Sequence, residues 1–591
     1  MMKRFWTTVL GSFVGVWLGL IIFSILSVVM SFAFIGAMSS LGMSNKSIGE
    51  NSILRINLSG ELTERSDGND FDPMQFVYDT SSEKLSLATL LKSIKAAKDD
   101  DKIKGIYIEN NGIGAGLASL SELHAALDDF KKSGKFIYAY ADGYSQADYY
   151  VSSVADSIFL NPIGTIDIHG IGGYTPYFKA LLDKMGVEMQ VVRVGTFKSA
   201  VEPYMLNEMS DANRLQQEHY LGSLWKNLAD CMAKSRKLPV AKINEMADSL
   251  AQFESAGFYV KSRLVDALCY RFEMENKLRE LTGVDKGDDL NFVSPSEVAA
   301  AAPSPKSSKN KIAVFYAEGE IDGSGNDEGI DSESLAKDIL KAANDDDIRC
   351  VVLRVNSPGG SAFGSEQIWK ATQEVKKAGK PFVVSMGDYA ASGGYYISCG
   401  ADRIFAEPTT ITGSIGIFGM IPCVENLATE KLGVNFCGVQ TNANSSIGLF
   451  KRMTPFQRAR MQKMVNEGYE LFTSRCASGR KMQIDSLKMI AEGRVWDGVT
   501  AKAIGLVDEY GNLENAVLWA AKKASLGDDY EVVELPVPED KFTRFISKYA
   551  QTKMSEMLKA NTGELYQYHD VLKRILGRDQ LQCIMEPVVI R

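Results

Sequence analysis

The chain predicts an α/β fold built twice in tandem, with an N-terminal transmembrane helix and helical extensions. Three observations predict it. Short β-branched runs alternate with amphipathic helical patterns, the signature of strands layered against helices. Two long stretches of the chain resemble each other. A long uncharged apolar run precedes both.

That apolar run comes first in order. No charged residue occurs between Arg4 and Lys46. The stretch from Phe5 to Met38 exceeds the roughly 20 apolar residues that span a bilayer and the about 7–15 of a cleavable signal core. Residues 1–46 are therefore expected to form a cytoplasmic tip and a membrane anchor. Lys3 and Arg4 ahead of the run put the N-terminus in the cytoplasm by the positive-inside rule. The expectation is a single-pass protein of the inner (plasma) membrane with its body on the extracytoplasmic side. Gly11, Gly15 and Gly19 make small-xxx-small steps, which are also ordinary in membrane helices.

The duplication follows. Asp101–Gly116 (DKIKGIYIENNGIGAG) resembles Asp346–Ala362 (DDIRCVVLRVNSPGGSA). Ser133–Gly173 matches Ala378–Gly419, with Tyr144 answering to Tyr389 and Tyr149 to Tyr395. Lys184–Ala200 aligns with Lys431–Ile447. The copies are placed at residues 47–295 and 311–540, joined by an Ala/Ser/Pro-rich linker over 296–310. Within the second copy, IAVFYAEGEI and CVVLRVN read as strands, and ESLAKDILKAANDD and SEQIWKATQEVKKAG as helices. A long helical pattern, QRARMQKMVNEGYELFTSRCAS, follows the second core, and residues 541–591 read as an amphipathic helical tail without chemistry.

Composition narrows the function. At 591 residues the chain exceeds one core. A net charge of −9 without a Lys/Arg tract speaks against nucleic acid. The eight cysteines show no CxxC pair, which argues against a zinc site or a disulfide framework and for small buried apolar side chains.

Chemistry concentrates where the copies differ. In the second copy an apolar run leads into GDYAASGGYYIS (Gly387–Ser398), whereas the first reads GYSQADYY. Ser392 followed by Gly393 and Gly394 fits a nucleophile at a strand-to-helix turn, and equally a plain Gly-Gly turn containing a serine. NSPGG (Asn356–Gly360) ends the strand VVLRV, so amides at Gly359 and Gly360 lie where α/β ligand sites form, available with Gly393 for an oxyanion hole. The chain has four histidines, His124, His169, His219 and His569, and none falls between residues 220 and 568. His124 and His219 read as surface residues of helices. A lysine is the standing alternative base, provided desolvation lowers its pKa. Lys198, in VGTFKSAVEPYM, stands where the second copy has Ser445. One copy holds the serine and the other the lysine, as a site shared between pseudo-symmetric halves requires; taken alone, Lys198 is one surface lysine among many.

These motifs, with TGSIGIFG (Thr412–Gly419) and FKSAVEPY (Phe197–Tyr204), resemble the signal peptide peptidase A (protease IV) family in its long, duplicated, membrane-anchored form. The resemblance implies a Clp protease/crotonase-like fold of repeated ββα units. It implies Ser392 as nucleophile and Lys198 as general base, with no metal or organic cofactor. Ser414 of the TGSIG motif is a candidate for orienting the lysine. The implied partners are peptide substrates, cleaved signal peptides above all, the lipid bilayer, and further copies of the chain in a ring or bowl, such as a tetramer. Two other readings share the fold: a crotonase-like acyl-CoA enzyme, which needs neither Ser392 nor Lys198, and a noncatalytic membrane scaffold.

Overall fold

The computed structural model describes residues 48–65, 85–285, 288–303, 307–323, 329–536 and 581–585, with isolated positions between 11 and 26. Most of the expected membrane anchor lies outside the described residues. Among the described residues no helix is long and apolar enough to cross a membrane.

The first copy contributes β1 (Ser52–Thr63), β2 (Leu85–Ser86), β3 (Ile103–Gly114), β4 (Phe136–Ala141), β5 (Ser157–Leu160), β6 (Glu188–Val194), β7 (Ala267–Leu268) and β8 (Phe292–Val293). All but β6 form a parallel sheet ordered β2-β1-β3-β4-β5-β7, with β8 beside β1. The second contributes β9 (Lys311–Glu318), β10 (Ile348–Ser357), β11 (Gly359–Ser361), β12 (Phe382–Ala391), β13 (Arg403–Ala406), β14 (Ile411–Gly413), β15 (Ile417–Cys423), β16 (Val495–Asp497), β17 (Glu509–Tyr510) and β18 (Glu531–Leu535). Its main sheet runs β16-β14-β12-β10-β9-β18, with β13 and β17 alongside, and is parallel except at β14–β16.

Parallel strands are buried on both faces, which explains their unbroken apolar runs. In β10, Val351, Leu353 and Val355 enter the main core, while Cys350 and Val352 face Ala516 and Ala520 on the opposite side. The covering helices include α1 (Leu117–Phe130), α2 (Gln146–Ser152), α3 (Asp211–Arg236), α4 (Ala362–Lys377), α5 (Gly393–Ser398) and α6 (Pro455–Arg480). Six cysteines are buried, Cys231 is half-buried and Cys437 is exposed; all eight are free thiols.

A third, antiparallel sheet joins the copies. Its order is β11-β19-β15-β6, where β19 (Gln582–Ile584) comes from the C-terminal tail. Within the tail expected to be helical over 541–591, Gln582–Ile584 instead form a strand, because Gly359–Ser361 offers these three residues an edge to pair with. Residues 541–580 lie outside the described residues. The linker also differs: it opens as a helix over Pro295–Ala301, started by a capping box between Ser294 and Glu297. Val298 and Ala299 are buried there, so tertiary contact holds the segment helical.

Candidate active site

Ser392 lies between β12 and α5, and is fully buried. Its φ of 57° lies in the left-handed region that non-glycine residues rarely enter. Neighbouring pairings hold it there: Ala391 is in register with Gly413 of β14, and the Ser392 N–H donates to the Gly413 carbonyl at 2.8 Å. The two glycines that follow are steric requirements. A Cβ on Gly394 would lie 2.6 Å from the Ser357 carbonyl oxygen, and one on Gly393 2.7 Å from Ser365 Oγ.

Lys198 reaches the same place from the first copy. β6 pairs along its length with β15, from Val194 opposite Ile417 to Glu188 opposite Cys423. Beyond β6 the chain turns at Gly195 (φ 107°), and the Phe197 N–H donates to the Glu492 carbonyl at 3.0 Å. Gly493, at φ 78°, lets the backbones touch, since a Cβ there would lie 2.6 Å from Lys198 Cβ. Gln216 of α3 ties the junction, donating to the Phe197 carbonyl and accepting from Val495 N–H. Lys198 Nζ then stands 2.7 Å from Ser392 Oγ and 3.0 Å from both the carbonyl oxygen and Oγ of Ser414.

All three partners of Nζ are neutral. The lysine is 1 % exposed, and burial lowers its pKa to about 7, with Cys583 pulling weakly the other way. Burial disfavours the ammonium because its hydration is lost. As an ammonium, Nζ has three donors for three acceptors; as an amine, it can accept the Ser392 hydroxyl proton. The site can therefore hold or take one proton at the serine oxygen near neutral pH.

Ser414 lies where the TGSIG motif suggested, itself at φ 50°. The three glycines separate. The Gly359 N–H is occupied by Ser357 Oγ at 3.1 Å, which removes it as an oxyanion donor. Its own role is spatial: a Cβ at Gly359 would overlap the Cys583 carbonyl oxygen and lie 2.7 Å from Gly393 N. Gly360 is set opposite Cys583 of β19 in the antiparallel pairing, and Gly393 opens α5 directly after Ser392.

The histidines have other surroundings. His124 is buried rather than on the surface, bonded to Ser153 and Ser235 under α3, and burial lowers its pKa to about 4. His219 bonds Thr500, and His169 is a loop residue beside Asp167. His569 lies outside the described residues.

In the first copy the corresponding turn carries a glutamine. Gln146 stands where Ser392 would be; it donates to the Gly170 carbonyl and accepts from the N–H groups of His169 and Gly170. That loop is the counterpart of the Ser414 loop. Gly493 and Gln216 were not visible as site residues in motif reading. A signal for Gly493 existed: aligning Leu264–Asp266 with Leu506–Asp508 sets Ala251 opposite it, and the preceding residues Leu250 and Glu492 share a φ of 54°.

Comparison with known proteins adds to this geometry. The family model described as peptidase family S49 matches residues 129–285 and 374–527, one stretch in each copy. Protease 4 of Haemophilus influenzae is 38% identical over 466 residues, covering 77% of this chain and 75% of its own. A protein of Enterococcus faecium named as a signal peptide peptidase, SppA, is 32% identical over 52% of this chain and 90% of its own. Among solved structures, a mutant ClpP1 from Listeria monocytogenes overlaps 34% of this chain and 94% of its own, with 15% identity and a TM-score of 0.24, too low to bear on function. Two matched stretches and a relative this similar across most of both chains settle the kinship: the chain belongs to peptidase family S49 and is a serine protease.

Proposed function

We propose that the protein is a membrane-anchored endopeptidase that hydrolyses apolar peptides through a Ser392/Lys198 dyad, signal peptides left after preprotein processing being its main substrates. One observation carries the dyad: a fully buried lysine amine, with only neutral partners, 2.7 Å from the hydroxyl of a serine in a strained turn.

Neutral Lys198 accepts the Ser392 proton as Oγ attacks the scissile carbonyl carbon. The N–H groups of Gly360 and Gly393 face the developing oxyanion. When the C–N bond breaks, the Lys198 ammonium returns its proton to the leaving amine. Water, deprotonated by the same amine, attacks the Ser392 ester and releases the acid. Ser414 holds Nζ in line throughout as a positioning residue. An acyl-CoA enzyme of similar fold has no use for a desolvated lysine on a serine, which weighs against that reading.

The membrane reading is supported by the uncharged run Phe5–Met38 and by Trp17, Leu20, Ile22, Phe23 and Leu26, which are helical and exposed. It puts the protein in the inner (plasma) membrane with the catalytic body outside the cytoplasm. The apolar side chains of Tyr174, Leu181, Leu432, Val439 and Phe450 are each exposed, which supports self-assembly into a ring or bowl. The repeated strand, strand and helix units are those expected of a Clp protease/crotonase-like fold.

The experiment is hydrolysis of a fluorogenic apolar peptide by Ser392→Ala and Lys198→Ala chains. Each is expected to lose about 10⁴-fold or more in kcat, as when members of other serine dyads and triads are removed, with an unchanged circular dichroism spectrum. Activity retained by either folded variant sinks the dyad.

A further inference from the structure

Next to the dyad stands an arginine without a counter-charge. Among the described residues no carboxylate pairs with the Arg494 guanidinium, and its Nε is buried without an acceptor. Burial lowers its pKa, with no neighbouring charge to oppose the shift. What it meets instead is two aromatic rings. The guanidinium carbon lies 4.9 Å from the centre of the Phe197 ring and 4.2 Å from that of Trp496. A flat, weakly hydrated guanidinium stacks on such rings, whereas an ammonium is a compact, strongly hydrated point charge.

Each ring belongs to one half of the dyad. Phe197 directly precedes Lys198, and its N–H is held by the Glu492 carbonyl. Trp496 of β16 pairs with Thr412 of β14, and a Cβ on Gly413 would lie 2.8 Å from its Cδ1. Gly413 is the residue whose carbonyl receives the Ser392 N–H. The Arg494 carbonyl in turn accepts from the Ser414 N–H at 2.7 Å, and Ser414 Oγ accepts from Lys198 Nζ. Trp496 is itself fixed, since its Nε1 donates to the Ile490 carbonyl and His219 of α3 meets its ring edge-on. The first copy, which has no dyad, lacks the residues for such a stack. The alignment that sets Ala251 opposite Gly493 sets Gln252 opposite Arg494 and Glu254 opposite Trp496, and Asn444 matches Phe197.

We infer that Arg494 is a positioning residue of the protease, whose stacking on Phe197 and Trp496 sets the approach of Lys198 to Ser392. The inference rests on the Ser392/Lys198 reading and extends it. The stack presses the lysine turn against the second copy, so Nζ stays within reach of the serine oxygen and out of water. Two effects follow when the turn lifts. Proton transfer slows, since a misplacement of about 1 Å can cost about 10²-fold. The amine also regains hydration, which favours the ammonium. Among the described residues no carboxylate faces it: its surroundings are Ser392, Ser414 and the Cys583 thiol, with Arg193 on the Lys198 carbonyl.

The test compares the full chain with Arg494→Leu, Arg494→Lys and Phe197→Leu chains. Each is assayed on a fluorogenic apolar peptide from pH 5 to 10, with melting curves alongside. All three are expected to lower kcat about tenfold or more with little change in KM. They are also expected to move the acid limb of kcat/KM up from about 7 by about one pH unit. A purely structural loss lowers the melting temperature and leaves that limb in place. Lysine keeps the charge without the flat fork, so full rescue by Arg494→Lys overturns the stacking role. Phe197→Leu removes one ring while Arg494 remains, and guards against a misfolded arginine variant. A wild-type limb near 7 that no folded variant moves overturns the inference and leaves the dyad standing. A wild-type profile without that limb overturns the lysine base, and the inference with it.

Discussion

At the scale of single residues, the site depends on one amine being unable to hold its proton strongly. A lysine in water ionises near 10.5, and at neutral pH it has no lone pair to offer; burial brings Lys198 to about 7. The sign follows directly. In the proposed dyad the neutral amine is the base, so kcat/KM is expected to rise with pH through about 7 and then level, which a stopped-assay pH profile on the free enzyme checks. Lys198→Arg is expected to be inactive at every pH, because a guanidinium stays protonated. Ser414 is a gentler case. Its Oγ is one of three acceptors for Nζ, so Ser414→Ala is expected to lower kcat about tenfold or more while leaving KM and the melting temperature nearly unchanged. A large KM effect with constant kcat would assign Ser414 to substrate binding instead.

At the scale of elements, Lys198 meets Ser392 because β6 lies on β15 and the following turn lies on Glu492 and Gly493. Strand pairing sets the register of Lys198 to the second copy, and the glycine sets its depth. Gly493→Ala adds a methyl 2.6 Å from Lys198 Cβ at a φ of 78°, which side chains rarely adopt. The expected outcome is a loss of stability of about 1–3 kcal/mol by denaturant titration, and a fall in kcat of about 10²-fold from a displaced amine. The opposite arrangement is visible in the first copy, where Gln146 bonds the loop that in the second copy presents Ser414. A glutamine there satisfies the loop's amides and has no hydroxyl to serve as a nucleophile.

At the scale of the whole molecule, the copies are held by buried polar groups as well as by apolar contact. Asp388, just before Ser392, accepts from Ala118 N–H, Ser119 N–H and Ser119 Oγ at the start of α1. Arg354 of β10 is buried between Glu64 and Glu122 of the first copy. Burial pushes Glu122 up to about 8, against the pull of Arg354, so this carboxyl keeps its proton at neutral pH. The folded chain then binds more protons than the unfolded one between about 4.5 and 8, and stability falls as pH rises through that window. Glu122→Gln, already neutral, is expected to flatten this dependence in melting curves taken from pH 5 to 9. An unchanged slope would place the titrating group elsewhere.

The sequence by itself determined the α/β class, the duplication and the two residues that differ most tellingly between copies. Strand and helix periodicity is local, and a repeat is visible wherever side-chain patterns recur, so β9, β10 and α4 were legible from IAVFYAEGEI, CVVLRVN and SEQIWKATQEVKKAG. Lys198 and Ser392 stood out because each copy lacks what the other has. Tertiary structure alone decided that the two meet within one chain, that the Gly359 N–H is already used by Ser357, and that His124 is interior. It also turned the end of the tail from an expected helix into β19. The physical reason is the same in each case. Propensity describes what a segment prefers alone, whereas a strand edge, a buried amine and an occupied N–H are set by partners distant in the chain. Ser392 and Lys198 lie 2.7 Å apart across 194 positions of sequence, a distance that no local pattern encodes.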